Sequence, residues 1–390
     1  MLDVWPALPI IAVFDNDHRR RGIMDNFIAA LECTDRVCHI YFQTVGSMGF
    51  DIFLAAMQQP FPELTYMSLW SVDETVAVVP DSFLGGSAPR LQYLEMNFIP
   101  FPGLPKLLLS ATHLVDLHLY HIPHSGYFSP DGMVVALSTF ISLSNFFLEF
   151  ESPRSCPDPA SRRPPPSTRS VLPLLGFFSF KGVSEYLDDM ACIDAPQLNM
   201  LEIIFFNDIV FDTPQLVQFI SLTPMSKALE EAYITLRDRA ARVNFLSQTS
   251  RDGTRMFKVD ILCEGLDWQA SSLEQVCTSC LPPLSILEDL YFYKDFHPDR
   301  KEIILNRHWL ELLRPFITVK NLYLSEEFAS HIAPALQELV EGRATDVLPA
   351  LQNIFLKGLE SSGSVQESIG QFVDARQVAN HPIGISPWAD

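Results

Sequence analysis

The sequence has little positive charge for its length. Its 390 residues include 27 Lys and Arg against 47 Asp and Glu, which gives a formal net charge of −20 at pH 7. The overall field of such a chain repels the phosphate backbone of a nucleic acid. We therefore expect no nucleic-acid partner, and the acidic balance slightly favours basic protein partners.

Long apolar runs are also absent from the sequence. No stretch reaches the ~18–20 apolar residues that cross a bilayer, and the first residues lack the basic, apolar and small-residue order of a signal peptide. Seven cysteines without regular spacing favour reduced thiols over a disulfide framework. We expect a cytoplasmic or nuclear protein with no membrane partner. The cysteines are Cys33, Cys38, Cys156, Cys192, Cys263, Cys277 and Cys280.

The sequence motifs of the common enzyme classes are missing. It contains no Walker A loop, no GxGxxG, no GxSxG and no HExxH. Cys277 and Cys280 have the CxxC spacing of zinc ligands and redox dithiols, but no second pair stands at a zinc-finger distance. We interpret them as small apolar residues of a helix beside Pro282 and Pro283.

Two further sets of polar residues have a structural interpretation. His118, His121 and His124 would align on a helix, but the apolar residues around His118 place it on a strand. The carboxylate pairs Asp188-Asp189 and Glu230-Glu231 are predicted to lie on solvated helix faces. We therefore predict no catalytic, cofactor-binding or metal-binding residues, no cofactor, and no enzymatic activity.

A short apolar pattern occurs twice in Ala88–Pro123 and then along the whole chain. The pattern is LxxLxL. Its recurrence with a period of about 20 to 30 residues is typical of leucine-rich repeats, in which each unit supplies a strand and a returning helical segment. Such units bury their apolar residues only by stacking. The pattern also recurs in a degenerate form at Ala228–Leu236. The other frames are Val37, Ile40, Phe42; Leu64, Met67, Leu69; Leu91, Leu94, Met96; Leu114, Leu117, Leu119; Leu143, Phe146, Leu148; Leu175, Phe178, Phe180; Leu198, Leu201, Ile203; Phe257, Val259, Ile261; Leu287, Leu290, Phe292; Val319, Leu322, Leu324; and Leu351, Ile354, Leu356.

These frames predict an α/β leucine-rich-repeat solenoid that spans residues 1–390 as one domain. We expect about twelve irregular repeats, with a curved parallel sheet on the concave side and helices on the convex side. The Pro-, Ser- and Arg-rich stretch 152–170 is predicted to be a disordered insertion. Residues 359–390 are predicted to close the last repeat. The apolar segment Met1–Phe14 is predicted to contain a strand that enters a core.

Residues between the apolar positions of each frame project from the other face of the strand. Several are aromatic rings with a polar tip, set among carboxylates, which is the composition of a protein-binding surface. The alternative is that these rings only cover neighbouring repeats. The candidate partner-binding residues are Tyr41, Trp70, Tyr93, Glu95, His118, Tyr120, Phe147, Tyr291, Tyr293 and Tyr323.

Four stretches resemble a known protein family. They are Leu2–Pro9 (LDVWPALP), Phe219–Leu229 (FISLTPMSKAL), Leu348–Gly358 (LPALQNIFLKG) and Gly370–Trp388 (GQFVDARQVANHPIGISPW). Together they are similar to the F-box and leucine-rich-repeat proteins of mushroom-forming fungi, and the resemblance extends over the whole chain.

The resemblance implies a substrate receptor of a cullin-type ubiquitin ligase, whose repeats hold a protein substrate. In the family an F-box precedes the first of these stretches, and here it would lie before Met1. The apolar start favours an F-box missing from the gene model over a naturally shortened paralogue. A cullin-ligase adaptor is an expected partner only if that F-box exists. The alternative is a stand-alone scaffold or decoy without a ligase role.

Overall fold

The computed structural model gives an α/β fold with mostly parallel strands. It forms two compact units, unit 1 (Met1–Leu198) and unit 2 (Asn199–Asp390). The single domain expected over 1–390 stays a prediction. The structure describes residues 8–15, 23–44, 47–72, 77–155, 169–206, 214–223, 229–237, 239–247, 255–263, 265–279, 281, 284, 286–294, 306–339, 343–357 and 363–388.

Unit 1 contains a sheet of seven parallel strands in the order β1-β2-β3-β4-β5-β6-β8, and a small parallel pair, β7 and β9. The strands are β1 (Ile10–Asp15), β2 (Val37–Thr44), β3 (Tyr66–Ser71), β4 (Tyr93–Asn97), β5 (Asp116–Ile122), β6 (Asn145–Phe150), β7 (Ser170–Val171), β8 (Phe177–Gly182) and β9 (Ile193–Asp194). The helices are α1 (Ile23–Leu31), α2 (Ser47–Ala56), α3 (Leu104–Leu108), α4 (Pro130–Leu137) and α5 (Ser184–Met190).

Unit 2 contains eight strands in the order β10-β13-β12-β11-β14-β15-β16-β17. They are β10 (Met200–Phe206), β11 (Glu231–Leu236), β12 (Ala241–Ser247), β13 (Arg255–Leu262), β14 (Asp289–Lys294), β15 (Asn321–Leu324), β16 (Asn353–Leu356) and β17 (Gly384–Pro387). The helices are α6 (Pro214–Leu222), α7 (Leu266–Ser279), α8 (Asn306–Leu313), α9 (Glu326–Gln337) and α10 (Gly363–Val378).

Each predicted frame coincides with a strand, because its apolar residues are the ones that the sheet buries. No residue of the eleven regular frames is more than 4% exposed. Helices cover this buried face: the Phe42 ring on β2 lies 4.3 Å from Phe53 on α2, and Phe292 on β14 lies 6.0 Å from Trp309 on α8. The alternation of strands and helices is typical of a solenoid, but the count of twelve repeats stays a prediction.

Strand β12 departs from the predicted parallel sheet. It pairs antiparallel with both β11 and β13, so that β10 neighbours β13 and not β11. Only four residues separate Leu236 from Ala241, and seven separate Ser247 from Arg255. Connections this short form hairpins, since a parallel crossover needs a dozen or more residues. The sequence signal was the alternation of Ala241, Val243 and Phe245, which the LxxLxL frame does not detect.

The predicted insertion 152–170 has defined structure at both ends. Pro153–Ser155 forms a 3₁₀ turn with Ser155 buried, and Ser170 begins β7, which pairs with β9. Residues 156–168 lie outside the described residues. The strand expected within Met1–Phe14 is β1, which pairs with β2, while residues 1–7 also lie outside them. The predicted closing segment 359–390 contains α10 and β17.

Candidate partner-binding face

The strands of both sheets bury one side and leave the other side partly exposed. In β4, Leu94 and Met96 are buried while Tyr93 and Glu95 are half-buried, and the same alternation occurs in β5, β6 and β15. We call the side opposite the buried frame residues the alternate face. Parallel pairing in register brings alternate-face residues of neighbouring strands side by side.

In unit 1, aromatic rings on the alternate face form a row across six neighbouring strands. Tyr66 and Tyr93 stack with centroids 4.3 Å apart and an angle of 5° between their planes. The row begins at His39 on β2 and ends at Phe177 on β8. Its remaining centroid distances are His39–Tyr66 3.8 Å, Tyr93–His118 5.2 Å, His118–Phe147 4.4 Å and Phe147–Phe177 4.6 Å.

Glu95 is the polar centre of this row. Its Oε2 accepts hydrogen bonds from Ser68 Oγ at 2.8 Å and from the Tyr93 hydroxyl at 3.1 Å. Ser68 Oγ in turn accepts from Trp70 Nε1 at 3.1 Å. Burial and the neighbouring Glu95 charge raise the pKa of the Tyr93 hydroxyl. The phenol therefore stays a hydrogen-bond donor, and four side chains on two strands are held in fixed positions.

Two more predicted residues complete the unit 1 surface. The Tyr41 hydroxyl donates to Gln43 Oε1 at 2.7 Å on β2, and the Tyr120 ring lies 5.5 Å from Phe147. Tyr120 Oη also lies 3.5 Å from Nδ1 of His118.

His118 lies within the row, between Tyr93 and Phe147. Burial lowers its pKa, although the carboxylates of Glu95 and Asp116 act in the opposite direction. Its Nε2 is buried and has no hydrogen-bond partner among the described residues. His118 lies on β5 as predicted, and His121 at the end of that strand has a positive φ of 50°. The three-residue histidine spacing therefore does not form a helical face.

In unit 2, four rings stack on adjacent strands of the alternate face. Tyr233, Tyr291, Tyr323 and Phe355 occupy paired positions of β11, β14, β15 and β16. Their successive centroids lie 4.4, 4.1 and 4.5 Å apart, and the ring planes differ by 4, 12 and 9°. We call this set the tyrosine ladder. Burial raises the pKa of all three tyrosine hydroxyls.

A polar row runs beside the tyrosine ladder, two residues earlier on each strand. Asn353 Nδ2 donates to Asn321 Oδ1 at 2.8 Å, and Asn321 Nδ2 donates to Asp289 Oδ1 at 2.6 Å. Glu231 accepts a hydrogen bond of 2.8 Å from the Tyr233 hydroxyl. Glu231 is only 7% exposed and lies on a strand, so the prediction of a solvated helix face for this carboxylate was wrong. Asp188 and Asp189 do lie on a helix, α5.

Trp388 lies against three tyrosines, two of which are the middle rings of the tyrosine ladder. Its ring centroid is 6.0 Å from Tyr291, 5.7 Å from Tyr293 and 5.7 Å from Tyr323. The Lys357 ammonium nitrogen is 5.7 Å from the ring centres of both Tyr293 and Trp388. We call Tyr291, Tyr293, Tyr323 and Trp388 the aromatic corner.

All ten predicted site residues lie on the alternate face of their own unit. Nine are half-buried and Tyr293 is exposed. That they bind a partner stays a prediction. His39 and Tyr66, which the same spacing projects from their strands, join the row of unit 1. The structure adds four rings that the sequence prediction did not include. These are Phe177, Tyr233, Phe355 and Trp388.

A sequence signal for two of the missed rings does exist. The segments Glu231–Ile234, Asp289–Phe292, Asn321–Leu324 and Asn353–Leu356 all follow the order acidic or amide, apolar, aromatic, apolar. Aligning them would have placed Tyr233 and Phe355 beside the two predicted tyrosines. No such pattern predicts Trp388, because this residue follows β17 and its ring packs against Tyr291, Tyr293 and Tyr323 on other strands.

The remaining chemistry-bearing groups do not form a site in the part of the chain that the structure describes. No group of three or more His, Cys, Asp or Glu there is arranged to hold a metal ion. Cys277 is buried in α7, and Cys280 lies outside the described residues. No described helix has the length and apolar character needed to cross a membrane. No protein-family model matches the sequence, and a search of curated proteins gives no match either.

Proposed function

We propose that this chain is a leucine-rich-repeat protein that binds a protein partner through the alternate face of its sheets. The observation that carries the proposal is a row of half-exposed rings on the alternate face of each unit, six rings in unit 1 and the four of the tyrosine ladder in unit 2. Tyrosine and tryptophan dominate the binding energy of protein interfaces because each presents a large apolar area with a polar tip.

The hydrogen bonds around the rings support binding with a small entropic cost. Tyr93 is held by stacking on Tyr66 and by its bond to Glu95, so a partner would meet a side chain that is already ordered. Ordering a mobile side chain costs roughly 0.5–1.5 kcal/mol on association. The Glu95 and Asp289 carboxylates provide polar groups among the rings, which favours a partner that presents complementary donors.

The ligase role rests on the sequence resemblance to F-box and leucine-rich-repeat proteins. If the protein acts as they do, the bound partner is a substrate for ubiquitin transfer, and the adaptor of a cullin-type ligase binds a separate F-box. The chain itself performs no chemistry in this proposal. A stand-alone scaffold that uses the same face is the alternative.

The test compares a site variant with a matched control variant. Trp70→Ser, Tyr93→Ser and Tyr120→Ser together remove alternate-face rings of unit 1. The control carries Ile52→Ser, Leu109→Ser and Val135→Ser, three exposed apolar residues of the helical layer. A partner captured by the tagged wild-type protein from its source organism is purified, and its affinity for each protein is measured.

We expect the ring variant to bind about tenfold or more weakly, as for the loss of interface hot spots, and the control to bind like wild type. Unfolding in urea shows whether each variant is folded. Equal affinity of a folded ring variant would remove the proposal, and loss of folding would assign these rings to the structure of unit 1 and remove it as well. Co-capture of a cullin-ligase adaptor by the protein expressed from its own gene supports the ligase role, and capture of a partner without the adaptor supports the scaffold.

A further inference from the structure

The aromatic corner of unit 2 already holds a positive charge. Lys357 follows β16, and its backbone N–H donates to Leu324 O at 3.0 Å, which fixes where its side chain begins. The ammonium nitrogen then lies 5.7 Å from the ring centres of both Tyr293 and Trp388. A cation within about 6 Å of a ring centre is attracted by the electron-rich face of the ring, most strongly for tryptophan.

The corner is built by two strands and a chain segment that are far apart in sequence. Tyr291 and Tyr293 lie on β14, Tyr323 lies on β15, and Trp388 follows β17. The Trp388 backbone N–H donates to Leu356 O at 2.8 Å, so the residue is fixed beside β16 while its indole packs against the tyrosines. The Tyr293 ring is 44% exposed, which leaves the corner accessible from solvent.

Negative charge lies beside the tyrosine ladder, which shares Tyr291 and Tyr323 with the aromatic corner. Burial raises the pKa of the Tyr233, Tyr291 and Tyr323 hydroxyls, and the charge of the Asp289 carboxylate in the polar row adds to this rise, so its field acts across the tyrosine ladder. The whole chain has a formal charge of −20. Such a field attracts a cationic segment and disfavours an acidic one.

We propose that the aromatic corner binds a lysine or arginine side chain of a basic segment in the partner protein, which replaces the Lys357 ammonium over Tyr293 and Trp388. This inference rests on the proposed function, because it states the chemistry of the partner for the same alternate face. Lys357 occupies the corner in the free protein and competes with the incoming cation. Its flexible side chain can leave the corner without any change in the strands.

The test uses a fluorescein-labelled peptide of alternating arginine and serine and a matched peptide of alternating glutamate and serine. Fluorescence anisotropy reports their binding to the full chain. Three substitutions are compared with wild type: Trp388→Ala removes the corner, Lys357→Met removes the resident cation, and Trp268→Ala is a matched control. Trp268 lies on α7 and is 68% exposed.

We expect the arginine peptide to bind wild type and the glutamate peptide not to bind. Trp388→Ala should weaken binding of the arginine peptide about fivefold, and Lys357→Met should strengthen it about twofold or more. Trp268→Ala should leave it unchanged. If urea unfolding shows that Trp388→Ala is not folded, Tyr293→Ala on the exposed edge of the corner replaces it.

Equal affinity of wild type, Trp388→Ala and Lys357→Met for the arginine peptide would overturn the inference, since it would indicate attraction to the acidic surface in general. If the inference fails in this way but the captured partner binds the unit 1 ring variant more weakly than wild type, the proposed function stays intact. Failure of the unit 1 variant to affect partner binding removes the proposed function, so the two failures have separate readouts.

Discussion

At the scale of single residues, Arg376 is a buried cation that joins α10 to the backbone before it. None of its surface is exposed, and its guanidinium donates to the carbonyl oxygens of Ala344, Pro349 and Leu351 at 3.2, 3.2 and 3.1 Å. Burial lowers its pKa. Three carbonyl groups thus obtain from one side chain the hydrogen bonds that water cannot provide in this position.

Replacing Arg376 with methionine should keep the packing of the side-chain stem but leave these carbonyls without donors. We expect the free energy of unfolding to fall by about 3 kcal/mol, since hydrogen bonds to charged groups and unsatisfied buried acceptors each account for ~1–3 kcal/mol. Arg343→Met is the control, because Arg343 is exposed and pairs with nearby Asp346 at the surface. Its effect should stay below about 0.5 kcal/mol in urea unfolding. Similar losses in both variants would contradict this role.

At the scale of elements, β12 is held to β13 by a charged pair as well as by the backbone. Arg242 Nε and Nη2 donate to the two oxygens of Asp260 at 2.5 and 2.7 Å, and Lys258 Nζ lies 3.4 Å from Asp260. Asp260 is 5% exposed, so these cations and not water surround its carboxylate. The pair crosses directly between paired residues of the antiparallel strands.

We predict that Arg242→Met lowers the free energy of unfolding by about 2 kcal/mol or more, because it removes both hydrogen bonds to a buried carboxylate and leaves it with Lys258 at 3.4 Å. Arg90→Met removes an exposed ion pair with Glu63 and should cost less than about 1 kcal/mol. Chemical denaturation of both variants measures the difference. An Arg242 variant no less stable than the Arg90 variant would show that backbone pairing alone fixes β12.

The sequence predicted the elements where burial repeats with a regular spacing. Leu117 and Leu119 had to lie on a strand with His118 between them, because only a strand buries alternate residues. The same alternation marks β12 at Ala241, Val243 and Phe245, but it does not give the antiparallel direction of the strand, since hairpin connections and not the repeat frame decide that direction. Its insertion also decides which strands are neighbours in unit 2.

The site could be predicted residue by residue but not as an assembly. The sequence indicated that Tyr291 and Tyr323 project from the same face, since each follows an apolar residue of its frame. It did not indicate that Tyr233, from a strand more than fifty residues earlier, completes the tyrosine ladder, because that contact requires the pairing of β11 with β14. The position of Trp388 over the tyrosines likewise depends on tertiary contacts and not on spacing.

At the scale of the whole molecule, each unit has one sheet face covered by helices and one face with ordered, half-exposed rings. The frame residues are buried in the core, and among the described residues the helices expose single apolar side chains such as Val135 on α4 and Trp268 on α7. Contiguous exposed rings are typical of interaction sites, whereas isolated apolar residues on a surface are ordinary. We therefore expect a partner to bind the ring-bearing face of a unit and not its helical layer.

Site-specific photo-crosslinking distinguishes the two faces most directly. A benzophenone amino acid is placed at Trp70 or Tyr293 on the alternate faces, and at Val135 or Trp268 on the helical layers, and each protein is irradiated with the captured partner. We expect crosslinks to the partner from Trp70, from Tyr293 or from both, and none from Val135 or Trp268. Crosslinks confined to the two helical positions would show that the helical layer, and not the ring-bearing face, binds the partner.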